Sequence, residues 1–169
     1  MNKSELYKLG YGFVLGDSLD VNTFDGQKKK GDSWETGWGN DAIAEDLIKS
    51  IKDRGFKTIK IPISWEDHVH YDSTCKTCEC DAWWKTRCKE VVQMVLNQDM
   101  YCIINTQHDA DWISCLSYES SDDFCKLLLN KFKSLWRTIA NIFKDINSDK
   151  LIYESMNEIG YIDAKGREN

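Results

Sequence analysis

The chain has 169 residues, enough for one globular domain with a hydrophobic core, and its 41% hydrophobic and 30% charged composition is ordinary. A net charge of −6 and a pI near 5.1 disfavour nucleic acid as a partner and suit a neutral ligand such as a glycan. No run approaches the roughly 18 apolar residues of a membrane span, so a membrane is not expected either.

Met1–Glu5 lacks the apolar core of a secretory signal, so the chain is either cytosolic or has lost a leader. Seven tryptophans are the compositional departure, and so many large, polar-tipped side chains suggest a ligand-facing surface as well as a core.

In chain order, the short apolar run Tyr11–Leu15 between glycines predicts a first strand. A polar loop containing Trp38 and the solvated triplet Lys28-Lys29-Lys30 follows. Asn40 is placed to cap a helix whose apolar positions Ile43, Leu47, Ile48 and Ile51 recur at helical spacing, and Gly55 is placed to end it. The β-branched run Thr58–Ile63 predicts a second strand, with Pro62 near its end.

Cys75, Cys78, Cys80 and Cys88 then crowd a loop insertion that holds a single Cys-x-x-Cys. Metal, a local disulfide and free thiols are all left open there, and no metal is called for. Asp81 is placed to cap a helix carrying Trp84, Cys88, Val91, Val92 and Val95 on one face, and Tyr101–Thr106 reads as a third strand. After a loop with Trp112, the spacing of Phe124, Leu128, Phe132, Leu135, Ile139 and Phe143 predicts a long helix from about Asp122 to Ile146. Leu151–Ser155 is the fourth strand.

Alternation of this kind, with short turns after helices and long loops after strands, argues for a parallel sheet in an α/β fold. No Gly-x-Gly-x-x-Gly follows the first strand, so a dinucleotide site is unsupported and no cofactor is expected. Long aromatic-bearing loops favour a barrel over an open doubly wound sheet, because a barrel builds its site from those loops.

Chemically able residues gather at the predicted strand ends: Lys60 and Trp65, then Gln107, His108 and Asp109, then Asn157 and Glu158. A carboxyl at Glu158, after an apolar strand, can hold a raised pKa and donate a proton. Asn157 and Glu158 would equally serve as the cap of a following helix. Glu154 shares the strand parity of Glu158, so it points to the barrel interior, where Lys60 is the expected partner. Trp38, Trp65 and Trp112 lie in loops where an indole face can stack on a sugar ring, and His68 and His70 lie in a loop that can reach the same rim. Trp83, Trp84 and Trp136 are assigned mainly to packing.

These segments resemble glycoside hydrolase family 5, the cellulase type. The stretches carrying the resemblance are Gly12–Val21, Glu35–Asn40, Gly55–Trp65, Tyr101–Asp109 and Leu151–Glu158, which follow that family's order along nearly the whole chain. The resemblance implies the N-terminal half, about four strands and three helices, of a TIM (β/α)₈ barrel, with residues 1–169 an incomplete catalytic domain. It implies a retaining endo-β-1,4-glucanase, secreted, with a β-glucan or related polysaccharide as partner. Glu158 would be the acid/base, and Asn157, His108, Gln107, Trp38, Trp112 and Lys60 would bind substrate.

Three departures stand against this pattern: Lys60 for the family's arginine, Gln107 for the first of its two histidines, and Ile159 for its proline. Lys60 and Gln107 motivate a second reading, a truncated or decayed non-catalytic copy that at most binds glycans. A retaining glycosidase also needs a second carboxylate about 5 Å from the first, which the family supplies from its seventh strand. Four strands do not close a barrel, so such a half must pair with something, self-association through its exposed edges included, belong to a longer chain, or be poorly stable.

Overall fold

Thr58–Ile61 (β2) forms the centre of the sheet: Ile59 and Ile61 are fully buried, and Ile63 continues the same face. The computed structural model describes residues 3–23, 33–108 and 121–157. Within them, Lys3–Leu6 (α1) and a 3₁₀ turn at Tyr7–Leu9 precede Gly12–Val14 (β1). Ser33–Thr36 (α2), Glu45–Asp53 (α3) and β2 follow.

After a 3₁₀ turn at Glu66–His68 come Val69–Tyr71 (β3), Cys78–Cys80 (β4) and Ala82–Asn97 (α4). Tyr101–Ile104 (β5), Asp122–Phe143 (α5) and Leu151–Tyr153 (β6) complete the order. No described helix is long and apolar enough to cross a membrane.

The main sheet has the order β1-β2-β5-β6, all parallel, with Val14, Lys60, Ile103 and Ile152 aligned across it. The side chains alternate between faces. Ile59, Ile61, Cys102 and Ile104 are fully buried and join one core with Ile48 and Ile51 of α3, Val91, Val92 and Val95 of α4, and Leu135, Ile139 and Phe143 of α5. All three long helices therefore cover one face. A doubly wound sheet places helices on both faces, so this arrangement is that of a barrel segment. The opposite, concave face carries Val14, Lys60, Ile103 and Ile152, none of them buried.

The predicted strands and long helices are present, with boundaries trimmed. Backbone bonds extend the ladder past the strand ends: Leu15 N–H to Lys60 O at 2.9 Å, Gln107 N–H to Ile63 O at 2.9 Å, and Asn157 N–H to Thr106 O at 3.0 Å. Gly55 adopts φ +92 and ends α3 as expected. Asn40 does not cap that helix: the capping position is Ala44, and the Asn40 amide instead donates to Gly16 O and Asp17 O, both at 3.2 Å. Leu47 and Phe124, placed on core faces by periodicity, are 42% and 38% exposed.

Asp81 occupies the position before α4 but makes no side-chain cap, because its carboxylate takes His70 at 2.9 Å. The cysteine-rich segment is an antiparallel hairpin, β3 with β4, which the sequence reading left as a loop. Cys75, Cys78, Cys80 and Cys88 are free thiols, and burial pushes Cys80 up to about 12. Among the described residues no group of three or more potential ligands is arranged to hold a metal ion.

Candidate active site

The C-terminal ends of β2 and β6 bring three of the predicted residues into one bonded set. Lys60 Nζ lies 2.7 Å from Glu154 Oε2 and donates to Asn157 Oδ1 at 3.1 Å. The pairing of Lys60 with Glu154, expected from strand parity, is present. Both side chains are partly exposed, so the pair sits at the wall of the concave face rather than within the helix-side core. An ammonium can only donate, so Asn157 must turn its carbonyl oxygen to Lys60 and its NH₂ becomes the donor offered to a ligand. Lys60 is thus shared between a carboxylate and an amide that both follow β6.

The β5 end is organised around Asn105, a fully buried amide. Its Oδ1 accepts from Ile63 N–H at 3.2 Å, and its Nδ2 donates to Gln107 Oε1 at 2.9 Å. Gln107 is therefore held from behind by a group locked between β2 and β5. His108, the next residue, meets Trp38 edge-to-face, with ring centroids 5.7 Å apart. Trp38 is 37% exposed, so one indole face is open beside that histidine. Thr106 Oγ1 donates to Ser155 O at 2.9 Å, and Trp136 Nε1 donates to the same oxygen at 3.1 Å. Two residues beyond that doubly held carbonyl is Asn157.

Glu158 and Trp112 lie outside the described residues. Trp65, placed among the stacking surfaces by sequence, is fully buried, and its Nε1 donates to Asn105 O at 3.0 Å. It is a core residue that supports Asn105. His68 and His70 do not reach this rim as ligands: His68 is buried among Trp34, Trp83 and Trp84, and exposed His70 pairs with Asp81.

Sequence reasoning missed Asn105, although an amide interrupting the apolar alternation of Tyr101–Ile104 is a visible signal. It also missed Glu35. That carboxylate is buried and accepts from Arg87 through both oxygens, from Nε and Nη2, each at 2.8 Å. Glu35 Oε1 also accepts from Ile43 N–H at 2.6 Å, and these bonds fix α2, which leads into Trp38, against α4. The hydrogen bonds to Glu35 and Glu90 raise the Arg87 guanidinium pKa further above its ordinary value.

Comparison with known proteins bears on the family and the fold. The family described as Cellulase (glycosyl hydrolase family 5) matches residues 20–165. Endoglucanase A of Clostridium longisporum is 39% identical over 153 residues, covering 89% of this chain and 27% of that protein. A broad-specificity endoglucanase structure from the same organism superposes with a TM-score of 0.74 at 33% identity, covering 94% of this chain and 43% of the other. One from Ruminococcus champanellensis, solved with bound cellotriose, gives a TM-score of 0.80 at 28% identity over 96% of this chain and 45% of that one.

The chain thus spans about a quarter of that curated relative and less than half of either structure. Its half-sheet, with helices on one face only, corresponds to the part of their TIM barrels that it covers. On the strength of a match over residues 20–165 and of this shared architecture, the chain belongs to the cellulase family, glycosyl hydrolase family 5.

Proposed function

We propose that this chain forms the first part of the catalytic barrel of a retaining endo-β-1,4-glucanase acting on β-glucan or a related polysaccharide. Glu158 is its general acid/base. The observation that carries this reading is the Lys60–Asn157 contact, which ties the residue before Glu158 to the middle of the sheet at 3.1 Å. A proton donor must be held within hydrogen-bond reach of the leaving oxygen, and a segment fixed from β2 meets that demand.

Asn157 NH₂ donates to a sugar hydroxyl, a bond that tightens in the transition state. Lys60 keeps the Asn157 amide turned by donating to its carbonyl oxygen. Trp38 and His108 supply an aromatic wall at one side of the rim, with Gln107 and Trp112 as further sugar contacts. In the reaction Glu158 protonates the glycosidic oxygen as a second carboxylate attacks the anomeric carbon, then removes a proton from the water that releases the sugar. That second carboxylate belongs to the portion of the barrel present in the longer relatives.

The test is made in a form of the protein extended over the length of those relatives. It is expected to hydrolyse soluble β-glucan, and Glu158→Gln is expected to lower kcat by about a thousandfold or more. Unchanged turnover in that variant overturns the assignment. The 169-residue chain alone is expected to show no measurable turnover.

A further inference from the structure

Trp83, in the first turn of α4, keeps 42% of its surface in water, whereas Trp84 beside it is fully buried. Leaving an indole exposed forfeits the large stabilisation its burial would bring. A cavity of about 740 Å³ opens next to it, within the ~300–1,000 Å³ range of small-ligand sites. Its lining includes Ala42 and Ala82, which leave the indole sterically clear, and Trp84, which meets Trp83 edge-to-face with centroids 5.3 Å apart.

The charges at this cavity are largely matched. Arg87 is engaged by Glu35, by Ile43 O and by Glu90, so no unpaired cation is available to capture an anion. Thr86, whose hydroxyl donates to Ala82 O at 2.8 Å, and Glu90 stand at the mouth with oxygens able to accept further hydrogen bonds.

An exposed indole beside carboxylate and hydroxyl acceptors, with the one arginine already engaged, describes a site for a polyhydroxylated ring rather than for an anion or an apolar molecule.

We infer that the cavity beside Trp83 is a second carbohydrate-binding site, taking a glucose unit of a β-linked oligosaccharide against the Trp83 indole, with its hydroxyls donating to Thr86 and Glu90. The choice of a glucose-based ligand rests on the proposed function, whereas the cavity and the exposed indole do not.

The test follows the indole N–H resonances of the ¹⁵N-labelled full chain during titration with cellotetraose, with signals assigned by single Trp→Phe changes. Saturable shifts of the Trp83 and Trp84 signals are expected. Trp83→Ala should weaken the response at Trp84 by at least about tenfold in Kd while the other indole signals keep their positions, which shows the fold is intact. Shifts at Trp38 with none at Trp83 or Trp84 overturn this site and leave the rim standing. Shifts at Trp83 and Trp84 with none at Trp38 support this site and count against the rim. A Trp84 response unaltered by Trp83→Ala, or no shift at either residue, also overturns it.

Discussion

Burial against Trp84 and Trp34 pushes the His68 imidazole from 6.5 down to about 4, with Asp67 and Asp81 acting weakly in the opposite direction and His70 adding to the depression. The unfolded chain therefore takes up this proton before the native state does. The contribution of neutral His68 is fully present above about pH 6.5 and is lost as pH falls through the window toward 4. Across that window it amounts to roughly 3 kcal/mol. His68→Phe keeps an aromatic ring in the cage and removes the titration. Urea unfolding between pH 4 and 7 should show a shallower acid-side loss of stability in the variant than in the parent; parallel curves would refute the account. At the same scale, Lys60 departs from the family's arginine yet still contacts both Glu154 and Asn157. A point charge with independent donors reaches two partners without the planar fork, at the cost of fixing the plane of neither.

The Glu35–Arg87 pair acts between elements. It joins the end of α2 to the second turn of α4, and Ile43 is bonded to both partners, through its N–H to Glu35 and its carbonyl to Arg87. Glu35→Ala leaves the guanidinium partly buried without its bidentate acceptor and should cost about 3 kcal/mol in urea denaturation. A change below about 0.5 kcal/mol would show the pair to be of the ordinary surface kind. Long elements were readable because periodicity sums over many residues: the apolar stripe of α4, from Trp84 to Val95, is buried at every position named from sequence. The β3–β4 hairpin was not readable. Its strands are three residues each, and its turn is closed by the Asp72 carboxylate accepting from Lys76 N–H, a bond that leaves no periodic trace. Asn40 illustrates the opposite failure, a residue of the right type for a cap that local geometry uses to hold a neighbouring loop.

Across the whole molecule, the sheet ends at β1 and β6, and within the described residues neither has an outer partner. Phe13, Val14 and Tyr153 at these edges are 38%, 59% and 45% exposed. Parallel strands with open edges recruit other strands, so the 169-residue chain should self-associate with rising concentration in sedimentation velocity. Val14→Lys, placing charge on the concave face at one edge, should shift that equilibrium toward monomer; an unaltered profile would show that the edge is not involved. The Lys60–Glu154 pair was legible in the sequence through strand parity, because parity depends only on counting along a strand. Trp65 was not legible in the same way, because loop position alone does not say which side of the backbone a side chain takes, and here the indole turns inward to Asn105 O.

The carbonyl of Ser155 receives Thr106 from the neighbouring strand and Trp136 from α5. That oxygen couples the outer helical layer mechanically to the segment bearing the proposed proton donor. A substitution on α5 that tilts Trp136 would reach the leaving-group oxygen as a misplaced proton, without touching any residue in contact with sugar. Under the proposed function, α5 would then act as a lever on the proton donor as well as a wall of the core.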